Sequence, residues 1–337
     1  MLLVRHSLKH VAERAGVSVK TVSNVVNGYP HIRPETRARV EAAIAALDYR
    51  PNLSARNLRQ GRTGIIALAV PELDNPYFAE LTRHIVTAAA AHGWTVLVDH
   101  TDGDPARERE VAAGIRDHLV DGLIFSPLAL TGAELDGTTP TVLLGERVDV
   151  VDGLGPADHV AVDNVAAARE ATAHLAAAGR RRIAALGVQH TAEGVSARLR
   201  LAGYQAALAA AGLPADPQLL APAERWHRAD GAAGIRALLD ADVAFDAVFA
   251  FNDTLALGAL RALHDAGLRV PVDVAVAGFD GIDDGRFSIP TLTTVEPDIE
   301  RLARLAVDLL AERITGSPQR PPQECLVPHR LTIRESA

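Results

Sequence analysis

The stretch VAERAGVSVKTVSNVVNG, residues 11–28, decides the fold of the first part of the chain. From Leu8 onward, apolar residues recur at i, i+3, i+4 and i+7, which places them on one face of a helix. Gly16 suits the left-handed residue that follows a helix end. Ser18 suits the cap of a second helix. The spacing therefore predicts two helices joined by a tight turn.

The second helix of this stretch has two different faces. Val22, Val25 and Val26 form an apolar inner stripe. The outer face, with one positive charge and several short hydrogen-bonding side chains, holds Val19, Lys20, Ser23, Asn24 and Asn27. Such groups reach base edges in a DNA major groove, while hydroxyls and amides contact phosphates. A solvated helix in a small bundle is the alternative interpretation.

Two further segments complete the first part of the chain. Pro34 suits the first turn of a third helix, which gives a helix-turn-helix plan. Pro51 ends that helix, and Asn52 is placed to cap a short helix over residues 53–59. That helix is too short to be stable alone. It is either a plain linker or a segment that folds against DNA, with Leu58 inserted between base steps of the minor groove.

Charge is divided unevenly along the chain. Residues 1–62 contain 11 Lys and Arg against four Asp and Glu, a net charge of +7. The whole-chain charge of −8 thus leaves −15 on residues 63–337. A basic head on an acidic body suggests a polyanion-binding module joined to a unit with another task.

The residues quoted above, followed by RPETRARVEAAIAALDYRPNLSARNLR (33–59), resemble the DNA-binding head and hinge of the lactose-repressor (LacI-type) family of bacterial regulators. The resemblance covers about residues 8–62 and departs from many relatives at His10, where they carry an acidic residue. It implies base-facing positions for Val19, Lys20 and Asn24, phosphate contacts for Ser18, Thr21, His31 and Thr36, and hinge contacts for Asn52, Ala55 and Leu58.

After Thr63 the pattern changes to buried strands that alternate with helices. GIIALAV (64–70) is continuously apolar, as expected of a parallel strand covered on both faces. Further strands are predicted at residues 94–100, 122–127, 141–146, 181–187, 247–252 and 274–280. The expected fold is an all-α helix-turn-helix head plus an α/β body of two doubly wound parallel-sheet lobes, with a ligand cleft outside the carboxyl ends of the strands.

The body resembles the periplasmic-binding-protein-like effector domain of the same family over essentially all of 64–337. The matching motifs include SARLRLAGY, FNDTLALGAL and AGFDGIDD. The resemblance implies that the effector is bound by Asn75, Tyr77, Phe78, Glu146, Asp163, Arg200, Trp226, Asn252 and Asp280. An arginine fork, hydroxyl-accepting carboxylates and amides, and a stacking tryptophan together suit a sugar-type ligand.

Domain boundaries follow from the same patterns. The head is predicted over 1–50, the hinge helix and linker over 51–62, and the effector-binding and dimerisation domain over 63–337. The first lobe is predicted from about 63–162 plus 292–323, and the second from about 163–291 plus 324–337. No leucine heptad tail follows, which favours a homodimer over a tetramer.

Several other chemistries are not indicated. The single cysteine, Cys325, fits a reducing cytoplasm, and the chain shows neither an apolar run long enough for a membrane span nor a secretory leader. Residues 63–337 contain no lysine, which removes phosphate-loop and Schiff-base lysines. His6 and His10 have metal-ligand spacing without a third ligand nearby. We expect no cofactor, no metal and no catalysis.

These features favour a DNA-binding transcriptional regulator, a repressor that binds a dyad-symmetric operator and responds to a sugar in its cleft. Three alternatives remain open. A sugar-binding transport protein would need no basic head. A sugar-acting enzyme would use paired acids among Glu146, Asp163 and Asp280. A regulator with a purine corepressor would use Trp226 to stack on a base.

Overall fold

The computed structural model describes residues 6–26, 29–49, 62–113, 119–130, 134–135, 138–146, 157–191, 194–316 and 320–337. The chain divides into two compact units, one ending at Gly64 and the other beginning at Ile65. Four of the predicted DNA-contacting residues lie outside the described residues, namely Asn27, Asn52, Ala55 and Leu58.

The first unit contains the three expected helices. They are α1 (Leu8–Ala15), α2 (Val19–Val26) and α3 (Pro34–Ala46). Val11, Val22 and Val40, one from each helix, are fully buried where the helices meet. The apolar stripes read from the sequence thus form one small core, and the helix-turn-helix plan is confirmed.

The ends of α1 and α2 are held by local hydrogen bonds. Gly16 adopts a φ of +61° after α1, the left-handed conformation that its position predicted. The Oγ of Ser18 accepts a hydrogen bond from the backbone N–H of Thr21 at 3.1 Å, so Ser18 caps α2 as expected. At the start of α1, the Ser7 N–H donates to Nδ1 of His10 at 3.2 Å. The unusual His10 therefore takes part in a helix cap.

The second unit contains two six-stranded sheets within the described residues. Its strands are β1 (Ile65–Val70), β2 (Thr95–His100), β3 (Gly122–Phe125), β4 (Thr141–Leu144), β5 (Asp158–Val162), β6 (Ile183–Val188), β7 (Leu220–Pro222), β8 (Ala247–Ala250), β9 (Ala275–Phe279), β10 (Thr293–Pro297), β11 (Glu324–Val327) and β12 (His329–Thr332). The orders are β11-β5-β4-β3-β1-β2 and β12-β10-β9-β8-β6-β7, and only the β10–β12 pair described here is antiparallel.

Helices cover the two sheets and bury them in separate cores. They are α4 (Pro76–Ala91), α5 (Pro105–Ala112), α6 (Asn164–Ala177), α7 (Val195–Ala210), α8 (Arg228–Asp240), α9 (Asp253–Asp265), α10 (Asp284–Phe287) and α11 (Ile299–Thr315), with a 3-10 turn at Pro217–Leu219. One core joins the first sheet to α4 and α11, and a larger one joins the second sheet to α6, α7, α8 and α9. The predicted two-lobed α/β body is confirmed. Within the described parts of the chain, no helix is both long and apolar enough to span a bilayer.

The predicted crossovers between the lobes were wrong by several residues. Strand β10 was assigned to the first lobe, but it pairs with β9 in the second sheet. Strand β11 was assigned to the second lobe, but it pairs with β5 in the first sheet. The chain therefore crosses after Pro297 and again near Pro328. These two strands have only five and four residues and mix polar with apolar side chains, so their pattern does not reveal which sheet they join.

Candidate functional site

The outer face of α2 is the first candidate site. Val19 is 44% exposed although it is a large apolar residue, and Lys20 beside it is also exposed. Ser23 and Asn24 are partly buried on the same helix. An exposed methyl group suits a thymine methyl, lysine suits guanine and asparagine suits adenine in the major groove. The face can therefore read bases without disturbing the helical core.

The residues expected to contact phosphates lie at helix starts. Ser18 and Thr21 are at the N-terminus of α2, where their hydroxyl oxygens are 2.8 Å apart. Thr36 is in the first turn of α3, and His31 is exposed just before that helix. Helix N-termini carry a partial positive charge that favours phosphate oxygens. This placement suits the expected contacts.

The second candidate site is a cleft in the body, at the carboxyl ends of the parallel strands. Its cavity volume is about 320 Å³, and residues of both lobes line it. Eight of the nine residues expected to bind the effector are brought together there: Asn75, Tyr77, Phe78, Glu146, Arg200, Trp226, Asn252 and Asp280. Parallel α/β sheets typically bind ligands at this edge.

Asp163 is the one expected effector residue that does not line the cleft. Its side chain is exposed and accepts a hydrogen bond from the backbone N–H of Ala166 at 2.9 Å. Asp163 therefore caps α6 instead of facing the ligand. The next residue, Asn164, is buried and takes part in the polar network of the cleft. The resemblance thus pointed to Asp163, whereas the residue that takes part in the polar network is Asn164, one position later in the chain.

Arg200 and Asp280 form the buried polar centre of the cleft. Their closest charged atoms are 3.7 Å apart, and the side chains are 9% and 10% exposed. Nε of Arg200 donates to Asn164 Oδ1 at 2.7 Å, and Nη1 donates to the carbonyl of Phe251. The guanidinium carbon lies 3.6 Å from the ring centroid of Phe279. The arginine is thus fixed in position before any ligand binds.

Glu146 connects the two lobes across the cleft. It follows β4 of the first lobe, and one carboxylate oxygen accepts a hydrogen bond from Asn164 Nδ2. Its other oxygen accepts from the hydroxyl of Ser196 at the start of α7. Because α7 belongs to the second lobe, Glu146 forms a hydrogen bond between the two lobes.

Asn75 and Asn252 serve largely as helix caps. Asn75 accepts from Tyr77 N–H at 3.2 Å at the start of α4. Asn252 accepts from Leu255 N–H at 2.8 Å at the start of α9, and its amide donates to the carbonyl of Trp226 at 3.1 Å. Each has limited hydrogen-bonding capacity left for a ligand. Asn252 thereby also holds the backbone of Trp226 in place.

The aromatic residues of the cleft are held in defined orientations. Nε1 of Trp226 donates to the carbonyl of Gly187 at 3.0 Å. The guanidinium of Arg200 lies 5.1 Å from the centroid of the indole ring. Tyr77 and Phe78 meet edge to face, with centroids 5.2 Å apart. Rigid aromatic walls of this kind suit stacking against a flat or ring-shaped ligand.

The electrostatics of the cleft favour uncharged groups. Burial raises the pKa of Asp280 to about 7, against the lowering effect of Arg200, and the negative Glu146 adds to the rise. Burial also raises the pKa of Tyr77, with Asp280 and Glu146 contributing. Asp280 has a φ of +113°, which residues with side chains rarely adopt. A strained, desolvated carboxyl group at the end of a strand is typical of a functional site.

A second buried acid lies behind this centre. Asp253, at the start of α9, is fully buried and accepts hydrogen bonds from Thr294 Oγ1 at 2.6 Å and from Ile282 N–H at 2.9 Å. Burial raises its pKa well above the usual range, and the charge on Asp280 raises it further. A neutral Asp253 avoids placing another negative charge next to Asp280.

The difference in stability between Asp280→Asn and the wild type is expected to shift in favour of the variant as the pH rises from 5 to 8. With a folded pKa of about 7 and an ordinary value of 3.8, the folded chain holds a proton that the unfolded chain has released between these values. Stability therefore falls as the pH rises through this window, by about 1.4 kcal/mol per pH unit. Asparagine has no such loss, so the variant gains about 2–3 kcal/mol between pH 5 and pH 7.

Melting curves of both proteins at pH 5 and pH 8, without ligand, check this expectation. The other titratable groups are the same in both proteins, so their contributions to the pH dependence cancel in the comparison. An equal difference in melting temperature at both pH values would contradict the raised pKa of Asp280.

Several residues that line the cleft were not predicted from the sequence. These are Glu72, Asp102, Ser126, Gln189, Ser196, Glu224, Arg225 and Phe279. Most of them lie in loops after strands, where a polar residue is unremarkable. Glu72, Ser126 and Phe279 could have been predicted, because each lies at or just after the end of a predicted strand. Glu72 also contacts His227 of the second lobe, with Oε1 and Nε2 3.4 Å apart.

No group of three or more His, Cys, Asp or Glu side chains is arranged to hold a metal ion among the described residues. His6 and His10, which have metal-ligand spacing, meet edge to face with their ring centroids 5.6 Å apart.

Comparison with known proteins places both units in one family. Residues 7–52 match the model of bacterial regulatory proteins of the lacI family, and residues 172–337 match the periplasmic binding protein-like domain. The ribose operon repressor of Halalkalibacterium halodurans is 33% identical over 332 residues, which covers 98% of this chain and 96% of that protein. The HTH-type transcriptional regulator CelR of Thermobifida fusca is 36% identical, with 98% of each chain covered.

Two solved structures of such regulators are similar to this chain over nearly its full length. The lac repressor dimer bound to operator and the anti-inducer ONPF has a TM-score of 0.83 and 30% identity, and covers 98% of this chain and 99% of that one. The CelR–cellobiose complex has a TM-score of 0.73 and 31% identity, and covers 99% and 100%. The chain belongs to the lacI family of bacterial regulatory proteins and is a DNA-binding transcriptional regulator.

Proposed function

We propose that the chain is a repressor whose operator affinity changes when a sugar binds in the cleft between the lobes. The supporting observation is the Arg200–Asp280 centre, which is nine-tenths buried and faces a cavity of about 320 Å³. The carboxylate of Asp280 accepts no hydrogen bond from the described residues. Sugar hydroxyls would supply the missing donors, while the guanidinium of Arg200 donates to their oxygens.

The link from the cleft to DNA is a change in lobe closure. Glu146 contacts Ser196 across the lobes, and Glu72 contacts His227. A ligand that makes better contacts in one closure state shifts the population toward that state. Such coupling typically changes operator affinity about 5- to 150-fold. The CelR relative was solved with cellobiose, and this supports a sugar as the ligand class here.

The proposal includes a homodimer that acts on DNA in the cytoplasm and carries out no catalysis. The lac repressor relative binds its operator as a dimer. Two copies of α2 would enter successive major grooves of a dyad-symmetric site. In this proposal the carboxylates of the cleft accept hydrogen bonds from the hydroxyl groups of the ligand. In the head, phosphates are contacted by Ser18, Thr21, His31 and Thr36. The hinge around Asn52, Ala55 and Leu58 would pair over the minor groove at the operator centre.

Selection of bound duplexes from a random DNA pool tests the DNA-binding part of the proposal. The expected result is a near-palindromic sequence, and Leu58→Ala should weaken binding to it by at least about tenfold, since a wedge between base steps is lost. Recovery of sequences without dyad symmetry would contradict the proposed dimeric repressor.

A further inference from the structure

The charges around the cleft distinguish between classes of sugar. Five carboxylates and two guanidinium groups line the cavity: Glu72, Asp102, Glu146, Glu224 and Asp280, with Arg200 and Arg225. No lysine is present anywhere in residues 63–337. Even with Asp280 protonated, four carboxylates face two guanidinium groups, and this excess opposes the entry of a further negative charge.

Each arginine of the lining already lies beside an acidic side chain. Arg200 lies beside Asp280, and two of its nitrogens already donate to Asn164 and to the carbonyl of Phe251. Arg225 is at the mouth of the cleft, where its side chain is 64% exposed and 4.0 Å from Asp102. A phosphate or carboxylate group would gain no unpaired cation inside the cavity.

Two of the helix N-termini at the cleft are capped by the protein's own side chains. Anions often bind at such termini because backbone N–H groups are free there. Here the side chain of Asn75 takes the Tyr77 N–H, and the side chain of Asn252 takes the Leu255 N–H. At the start of α7, the hydroxyl of Ser196 donates to Glu146. Glu146 thus places a negative charge beside the N-terminus of α7, which has no side-chain cap, and this charge disfavours an anionic ligand there.

We propose that the cleft accepts an uncharged polyhydroxylated ligand and rejects the phosphorylated and carboxylate forms of the same sugar. This inference rests on the proposed function, because it names the chemical class of the effector. Uncharged hydroxyl groups satisfy Asp280 and Arg200 together, since they both donate and accept. Like charges placed face to face are a strong means of rejecting a wrong ligand. Glu146 and Asp280 are the residues that determine this specificity.

Matched sugars provide the test. Dissociation constants of the full-length chain are measured for ribose and ribose 5-phosphate, for glucose, glucose 6-phosphate and glucuronate, and for cellobiose and cellobionate. At least one uncharged member is expected to bind, and its charged forms to bind at least about 100-fold more weakly. A charged form that binds as tightly as its uncharged partner would overturn the inference. So would a panel in which no uncharged sugar binds.

Two isosteric variants separate local charge from total charge. Glu146→Gln removes a carboxylate inside the cleft and keeps an oxygen that accepts from Ser196, so the preference for the uncharged sugar should fall by about tenfold. Asp163→Asn removes a carboxylate from an exposed helix cap outside the cleft, and the preference should not change. Equal behaviour of the two variants would overturn the inference.

The proposed function can survive the failure of this inference. If a sugar phosphate binds and changes the affinity for the selected operator, the regulator is sugar-controlled and the charge rule is wrong. If an uncharged sugar binds but no dyad-symmetric DNA is selected, the charge rule holds and the proposed repressor is wrong.

Discussion

Replacing Arg200 with alanine is expected to abolish the response to the effector while leaving operator binding intact. The substitution removes the donors to Asn164 and Phe251 and the fork that faces the ligand. Hydrogen bonds to a charged group contribute about 1.5–3 kcal/mol each, so losing two toward the ligand weakens effector binding by at least about 100-fold. The readout is operator affinity with and without a sugar that binds the wild-type protein.

The same substitution leaves Asp280 buried without a counter-charge. Breaking a buried pair costs about 3–5 kcal/mol, so Arg200→Ala should also lower the melting temperature. Arg200→Lys retains the charge and loses the planar fork. It should lose the effector response with a smaller loss of stability, and this separates binding from folding.

Asp163→Asn is the matched control for these variants. Asp163 belonged to the set expected from the family resemblance, yet it caps α6 outside the cleft. Asparagine is an equally good cap, so the variant should respond to the effector as the wild type does. A normal response in Arg200→Lys, or a lost response in Asp163→Asn, would contradict the assigned cleft.

The second large effect is expected at the outer face of α2. Lys20→Ala and Asn24→Ala should each weaken binding to the selected operator by about 10- to 100-fold, because a good base contact contributes about 1–3 kcal/mol of discrimination. Affinity for unrelated duplexes should fall much less, since phosphate contacts dominate there. Equilibrium binding to the operator and to a scrambled duplex at one salt concentration measures both effects.

Lys9 provides the control within the same head. Lys9 and Lys20 are the two lysines of the chain, and both are exposed. Lys9 lies in α1, so Lys9→Ala removes the same charge from outside the proposed reading helix. Specificity should be preserved in this variant. An equal loss of specificity in Lys9→Ala and Lys20→Ala would contradict the assignment of α2 as the reading helix.

The sequence predicted the architecture well where periodicity was strong. The helix ends at Gly16, Ser18 and Pro34 follow from local backbone chemistry, and they were confirmed. Long apolar runs such as that of β1 identify parallel strands because both of their faces are buried. The assignment of β10 and β11 failed because lobe membership depends on long-range packing, which a short strand does not encode.

The cleft was predicted less completely for a related reason. Residues in a recognised motif, such as Arg200 and Asp280, were found, and the structure brings them together. Asp163 and Asn164 are neighbours at the end of β5, and only the backbone path shows which one contacts Arg200 and Glu146. Ser196 was missed because its partner, Glu146, is 50 residues away in the chain. The DNA-contacting and effector-binding assignments remain predictions for each residue.

The central claim is that one chain couples a ligand in its cleft to the affinity of its head for DNA. The most direct measurement is the dissociation constant for the selected dyad duplex, with and without a saturating uncharged sugar that binds the wild-type protein. The expected change is about 5- to 150-fold, and it should disappear in Arg200→Lys. An affinity that stays the same when the sugar is bound would contradict it.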